Sequence, residues 1–269
     1  MLTVNLGPFP LSVAAILVLV ALLVTAWAGR LAGRSQQIRI GNILIDMVIA
    51  AVIVSRILFV AVWFDIYRST PWSMLDIRDG GFILWVGLLA ACLVAAWRGW
   101  RRVSLRKPLS IGIAAGALAW VAMFGALSQL NNTMLPKVSL RTLAGEPVDL
   151  VTLSAGKPII VNLWASWCPP CRREMPVLAA AQKQEKEFFF VFANQGEDGM
   201  TAQNYLINAQ LEMANVLLDP STDFGHEAGS TALPTTLFYD AKGRLVNSAL
   251  GELSAASLSS KLDQLRTPK

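Results

Sequence analysis

Trp164-Ala165-Ser166-Trp167-Cys168-Pro169-Pro170-Cys171 follows directly on the short, mainly apolar run Ile159–Leu163, and this junction decides what the second half of the chain is. The run is too short for a helix and β-branched at its start, which marks a buried strand. Two cysteines separated by two residues, where a strand gives way to a helix, form a dithiol able to close into a disulfide. The same spacing is also half of a zinc site, but such a site needs four ligands. The chain has 3 cysteines and 1 histidine, His226, which lies far along the sequence, so no second pair completes a metal set. The expectation is redox chemistry carried by the two sulfurs, with no metal and no cofactor.

On the N-terminal side of this junction the composition changes character. The 269 residues are 54% hydrophobic and carry a net charge of +5. Residues 1–136 hold 11 Lys/Arg against 4 Asp/Glu, whereas residues 137–269 hold 12 against 14. The basic balance thus belongs to the first half, where the cations sit between apolar runs. That placement argues against nucleic acid as a partner. Four apolar runs, Leu11–Gly29, Asn42–Trp63, Phe82–Trp97 and Leu109–Leu127, each approach the roughly 20 residues needed to cross a bilayer. Ala26-Trp27-Ala28 resembles a signal cleavage site, yet no Lys or Arg precedes that run and the basic cluster follows it, so a retained span is expected.

The loops between these runs set an orientation. Arg30, Arg34 and Arg39 follow the first run, and Arg98, Arg101, Arg102, Arg106 and Lys107 follow the third. The intervening loop balances Asp65, Asp76 and Asp79 against Arg68 and Arg78. The positive-inside rule then places the first and third loops in the cytoplasm and both chain ends outside. Trp63, Trp72, Trp97 and Trp100 lie near run ends, where interfacial tryptophans collect. The expected organisation is a four-span α-helical membrane domain with its connector over residues 1–136, and an extracytoplasmic α/β domain over residues 137–269. The expected location is the inner (cytoplasmic) membrane, multi-pass, with the C-terminal domain in the periplasm.

Within the second domain, helix and strand signals alternate. Helical composition over Arg172–Glu185 contains Pro176, which predicts a kink. Glu187–Ala193 reads as a buried strand, Thr201–Glu212 as a helix and Ala214–Leu218 as a short strand. Thr235–Tyr239 and Arg244–Ala249 flank the turn Asp240-Ala241-Lys242-Gly243 as a hairpin. Ser254–Leu265 closes as an amphipathic helix with Ser254 as its N-cap. The order β-α-β-α-β-β-α predicts a layered α/β domain with a mixed sheet.

The run from Val161 to Pro176, Val-Asn-Leu-Trp-Ala-Ser-Trp-Cys-Pro-Pro-Cys-Arg-Arg-Glu-Met-Pro, resembles the active-site segment of TlpA-like thiol-disulfide oxidoreductases of the thioredoxin superfamily. Leu233-Pro234-Thr235-Thr236-Leu237-Phe238-Tyr239-Asp240 is similar to that family's cis-proline strand and its following turn. The resemblance covers about Lys137–Leu265 and implies a thioredoxin fold. It also implies that Leu233–Pro234 is cis and lies beside the dithiol, where the Leu233 main chain pairs with substrate in strand fashion. Trp167 and Trp164 are candidates to shape that docking surface.

Roles for the site follow from position. Cys168 stands at a helix N-terminus, where unpaired N–H groups and the helix dipole favour a thiolate, and it is the candidate nucleophile. Cys171, one turn further in, is the resolving cysteine. Thioredoxin commonly has a buried Asp where this chain has Asn162, and an amide takes no proton. Glu174 matches a glutamate of TlpA-like reductases and lies one turn from Cys171, making it the candidate acid/base group. The alternative for Glu174 is an exposed helix residue paired with Arg172 or Lys183. His226 reads as a surface residue, and Asn194-Gln195 receives no role.

A second resemblance concerns the membrane half. Leu6-Gly7-Pro8, Arg56 and Asp79-Gly80-Gly81 are similar to the first part of prolipoprotein diacylglyceryl transferases. That family continues with His-Gly-Gly, where this chain has Trp85-Val86-Gly87, so no histidine remains for acid/base work and lipid transfer is not expected. Arg56 inside a span calls for a partner: a lipid phosphate, a partner protein, or Asp79, unless it snorkels. Asp46 stands ten residues away, about 15 Å along a helix, too far to pair with it directly. Cys92, alone in the third run, reads as an inert buried thiol.

Together these features predict a membrane-anchored oxidoreductase that reduces disulfides in extracytoplasmic proteins, such as cytochrome or copper-site clients. Its partners would be those disulfide-bearing proteins, a membrane electron donor of the DsbD type, and the lipid bilayer. Three alternatives stay open at this stage: a dithiol oxidase or isomerase using the same site, a copper-binding chaperone using the sulfurs as soft ligands, and a non-catalytic assembly factor whose spans recruit partners.

Overall fold

Helices account for nearly all of the apolar first half. In a computed structural model, which describes residues 3–6, 9–34, 40–68, 71–130 and 134–266, strands β1 (Thr3–Leu6) and β2 (Phe9–Ser12) pair ahead of helix α1 (Val13–Ala32). Helices α2 (Gly41–Val62), the single-turn α3 (Phe64–Tyr67), α4 (Leu84–Arg101) and α5 (Arg106–Leu130) follow. Among the described residues, 3 helices are long and apolar enough to cross a membrane: Val13–Ala32, Gly41–Val62 and Val103–Leu127. The expected count of four is thereby corrected. The third run does form a helix, α4, but its last turns carry Arg98 and Arg101 beside Trp97 and Trp100, which dilutes its apolar length. Gly7, Pro8 and Arg39 lie outside the described residues.

Small residues bring these helices together. A Cβ on Gly112 would stand 2.7 Å from the Thr25 carbonyl oxygen, and one on Gly116 would stand 2.8 Å from the Ala21 carbonyl oxygen, so α1 and α5 touch backbone to backbone. Gly87 of α4 similarly faces the Ala51 carbonyl oxygen of α2 at 3.0 Å. Asp46, near the start of α2, forms an ion pair with Arg98, near the end of α4, so the two helices run antiparallel. Arg56 is buried; its Nη1 donates to the Gly81 carbonyl at 2.9 Å and its Nε to that of Met74 at 3.2 Å. The rings of Phe59, Tyr67 and Phe82 surround its guanidinium at 5.5–5.9 Å. Those donors therefore hold the loop between α2 and α4. Cys92 is exposed on α4 rather than buried.

The second half builds a mixed sheet. Strands β3 (Leu140–Thr142) and β4 (Pro147–Val148) form a short hairpin before α6 (Leu150–Ser154). Then come β5 (Ile159–Trp164), α7 (Pro169–Gln184), β6 (Phe189–Gln195), α8 (Gly199–Asn208), β7 (Val216–Asp219) and α9 (Asp223–Glu227). The hairpin β8 (Thr235–Tyr239) and β9 (Leu245–Leu250) leads to α10 (Ala255–Arg266). The seven strands lie in the order β4-β3-β7-β6-β5-β8-β9. Strand β5 pairs in parallel with β6 and antiparallel with β8, which makes it an interior strand.

Alternation along β5 divides the core in two. Ile159, Val161 and Leu163 join Val191, Ala193, Leu217 and Leu237 on one face. Ile160 and Trp164 join Met175 and Leu178 of α7 and Leu258 and Leu262 of α10 on the other. Asn162, of the same parity as Ile160 and Trp164, is thus aimed at the α7 layer. Helix α7 continues unbroken through Pro176. Ser254 caps α10, its hydroxyl accepting from the Ser257 N–H at 3.1 Å, while the Ser257 hydroxyl accepts from the Ser254 N–H at 2.9 Å. The sequence-based order omitted β3, β4, α6 and α9 because elements of two to five residues are too short to show a period.

The start of α8 supplies one stability test. A Cβ on Gly199 would lie 2.4 Å from the Leu143 carbonyl oxygen, main chain that cannot yield cheaply. Gly199→Ala should destabilise the domain by about 2 kcal/mol, in the range of overpacking substitutions. A denaturation midpoint equal to that of the unsubstituted protein would show that the β3–β4 turn is free to move away.

Candidate active site

The turn after β5 delivers the two sulfurs. Cys168 is the N-cap of α7, with Pro169 and Pro170 in the first helical positions, where a missing N–H costs nothing. Cys168 and Cys171 are joined as a disulfide. The Cys168 Sγ also accepts the Cys171 N–H at 3.3 Å. Cys171 is completely buried and Cys168 is 3% exposed, whereas Trp167 beside them is 66% exposed. Trp164 is buried at the end of β5, its ring 5.5 Å from that of Tyr205. Of the two tryptophans, only Trp167 presents its ring to solvent at this turn.

Beneath the disulfide lies a buried polar group. Glu174 has no exposed surface, so the alternative of a surface glutamate paired with Arg172 or Lys183 fails. Lys183 pairs instead with Glu212 at 3.0 Å. The Glu174 Oε1 accepts from the Asn162 side-chain amide at 2.7 Å, and its Oε2 accepts from the Leu253 N–H at 3.0 Å. Burial pushes the Glu174 carboxyl up from 4.5 to about 7, against the opposing pull of those two donors. Glu174 follows Cys171 by three residues on α7, one helical turn, so carboxyl and sulfur share a face.

Asn162 is the residue whose part the sequence did not disclose. Its amide donates both to Glu174 and, at 2.9 Å, to the Thr236 hydroxyl on β8. Its Oδ1 is buried with no hydrogen-bond partner. The arrangement serves an ionised Glu174, which needs donors. When Glu174 takes a proton, rotation of the Asn162 amide offers that idle oxygen as the acceptor. The asparagine takes no proton itself but holds the Glu174 carboxyl in place. Strand alternation was the signal available, since it places position 162 on the α7 face. Asn162→Ala should push the Glu174 carboxyl further up by removing a donor that favours the ionised form. A pH–rate profile whose inflection stays in place would count against this coupling.

Leu233 and Pro234 precede β8, and their peptide bond is cis. The Pro234 carbonyl accepts from the Gly251 N–H at 2.9 Å. Among the described residues no hydrogen bond engages the Leu233 main chain, and its side chain is half-buried against both core clusters. On the other side of the turn, Glu197 accepts from the Ser166 N–H at 2.8 Å, the Ser166 hydroxyl at 2.5 Å and the Asn194 side-chain amide at 2.6 Å. This carboxylate pins the loop two residues before Cys168. Sequence reading passed over it, although Asn194 stands at the C-terminal end of a strand, where sites form. His226 is exposed on α9, away from this cluster of bonds.

The family profile described as Redoxin matches residues 129–265, and that described as prolipoprotein diacylglyceryl transferase matches residues 1–133. Thioredoxin-like protein YneN of Bacillus subtilis is 24% identical over 181 residues, covering 66% of this chain and 96% of its own. Thiol:disulfide interchange protein HelX of Rhodobacter capsulatus is 32% identical over 131 residues, covering 48% of this chain and 73% of its own. Thiol-disulfide oxidoreductase ResA of Halalkalibacterium halodurans is 26% identical over 159 residues, covering 58% and 89%. With a disulfide capping a helix above a buried carboxyl, and a profile match over half its length, the chain belongs to the redoxin family.

Proposed function

We propose that this protein reduces disulfides in extracytoplasmic clients, drawing electrons from a membrane donor of the DsbD type. It is a membrane-anchored thiol-disulfide oxidoreductase, and its partners are disulfide-bearing substrates. The observation that carries the dithiol exchange is Glu174: a fully buried carboxyl with a pKa near neutrality, one turn from the inner sulfur, is placed to move the proton that resolution requires. Residues 1–136 form the membrane part and residues 137–269 the periplasmic domain. This topology requires α4, which falls short of a span by its composition, to recross the bilayer; its antiparallel pairing with α2 supports that course. Those arginines, with Arg102, Arg106 and Lys107, then mark the cytoplasmic face of the inner membrane.

The reaction runs in two exchanges. The Cys168 thiolate attacks one sulfur of the client disulfide, that S–S bond breaks, and one client thiolate leaves. Cys171 then passes its proton to Glu174 and attacks the Cys168 sulfur. The Cys168–client bond breaks, the Cys168–Cys171 bond forms, and the second client thiolate departs. Two electrons have moved to the client. One client thiolate takes the proton held on Glu174 and the other takes one from water. Leu233 and Trp167 hold the client beside Cys168, and Pro234 keeps the Leu233 main chain in place. Purified full-length protein, reduced and mixed with a disulfide peptide, should show this turnover. A Cys168–Cys171 pair found oxidised in cells even when the donor is present would overturn the reducing direction.

A further inference from the structure

The face of α7 turned away from Glu174 borders a groove of about 440 Å³ lined by Pro169, Arg172, Arg173, Tyr205 and Ala209. Its two cations differ in state. Arg173 is engaged by Glu252 at 2.7 Å. Arg172 is exposed and has no carboxylate partner among the described residues; its guanidinium lies over the Tyr205 ring, 5.6 Å from the centroid. That guanidinium also hydrogen-bonds the Tyr205 side chain, and being exposed it keeps further N–H donors for a carboxylate. Tyr205 is itself held by Trp164, at the end of the strand that carries the dithiol turn. The groove is therefore built on the same support as the active site, and it begins at Pro169, the residue next to Cys168.

We propose that this groove is a carboxylate subsite that reads an acidic side chain of the client near the cysteine under attack. The inference rests on client reduction as proposed above and names what the site selects. Arg172 follows Cys168 by four residues, about 6 Å along the helix. A client in extended form advances about 3.3 Å per residue, so an Asp or Glu two positions from its cysteine spans that distance. Charge complementarity favours this occupant: an exposed cation with no carboxylate partner among the described residues lies one helical turn from a sulfur to which the client becomes covalently joined. The carboxylate and Arg172 form two charge-assisted hydrogen bonds in the mixed disulfide. An amide in the same place forms at most one, and without the charge.

The test compares two disulfide peptides differing only by Glu or Gln two residues from the cysteine, reduced by full-length protein in phosphatidylcholine nanodiscs with a small-molecule dithiol regenerating the Cys168–Cys171 pair. The Glu peptide should show kcat/KM higher by about fivefold, the worth of a partly exposed charge-assisted pair. That preference should vanish in Arg172→Gln and reverse in Arg172→Glu when a Lys peptide is supplied. Equal turnover of the Glu and Gln peptides by the unsubstituted protein overturns the subsite while leaving client reduction standing. Failure to reduce either peptide overturns the function and the subsite together. A preference abolished by adding phosphatidylglycerol to the nanodiscs reassigns Arg172 to lipid phosphate and overturns it as well.

Discussion

Cys168→Ser should lower disulfide-reductase turnover of the full-length protein by about 10³-fold or more, because Cys171, the other sulfur of the site, is completely buried. Cys171→Ser should behave differently. It leaves the attacking sulfur in place and removes the one that completes the reaction, so the client stays covalently attached. Mass spectrometry after a single addition of disulfide peptide should then show a 1:1 adduct in Cys171→Ser and none in Cys168→Ser. The two cysteines are the only ones in residues 137–269, so an adduct on this domain has an unambiguous address. Adduct formation by Cys168→Ser instead would reverse the assignment of attacking and resolving sulfurs.

Glu174→Gln tests the acid/base role, and its effects reach both rate and stability. Removing a general acid/base group at pH 7 should slow release of the mixed disulfide by about 10²-fold. The inflection near pH 7 in the rate of the unsubstituted protein should also be lost. For stability, the carboxyl sits at 4.5 when exposed and is raised to about 7 by burial. Between those values the folded protein holds a proton that the unfolded chain has lost, so folding stability falls as pH rises from about 4.5 to about 7 and then levels off. The total change is on the order of 3 kcal/mol. Glu174→Gln should flatten that slope. Chemical denaturation at pH 5 and pH 8 measures it, and an unchanged slope in the variant would show that another group carries the proton.

How much of this was legible in the sequence follows from the length over which each signal acts. The order of the long strands and helices of the second half was readable because Ile159–Leu163 and the phenylalanine-rich strand are continuous apolar runs between turns. The β3–β4 hairpin and α9 were not, since a few residues carry no period. The dithiol was visible as a local motif, and Glu174 as a position one turn beyond it. Its burial was not visible, because burial depends on α10 and the Leu253 N–H, 79 residues away in the chain. Thr236 and Glu197 were hidden for the same reason: each reaches its partner across strands that only the sheet order brings together. In the membrane half, hydropathy located four helices, but the arginines in the last turns of α4 left three that meet the length and composition of a span.

The placement of β5 has a consequence for how homologous chains can vary in length. Odd positions of that strand supply one side of the molecule's interior and even positions supply the other, including the asparagine that steadies Glu174. An inserted or deleted residue between Lys157 and Asn162 would turn Asn162 to the opposite side and leave the carboxyl without its donor. Length changes among related chains should therefore fall in places such as the 143–146 turn or the 209–215 connection and spare the interval from Pro158 to Glu174. A functional homologue carrying a single-residue gap inside that interval would contradict this.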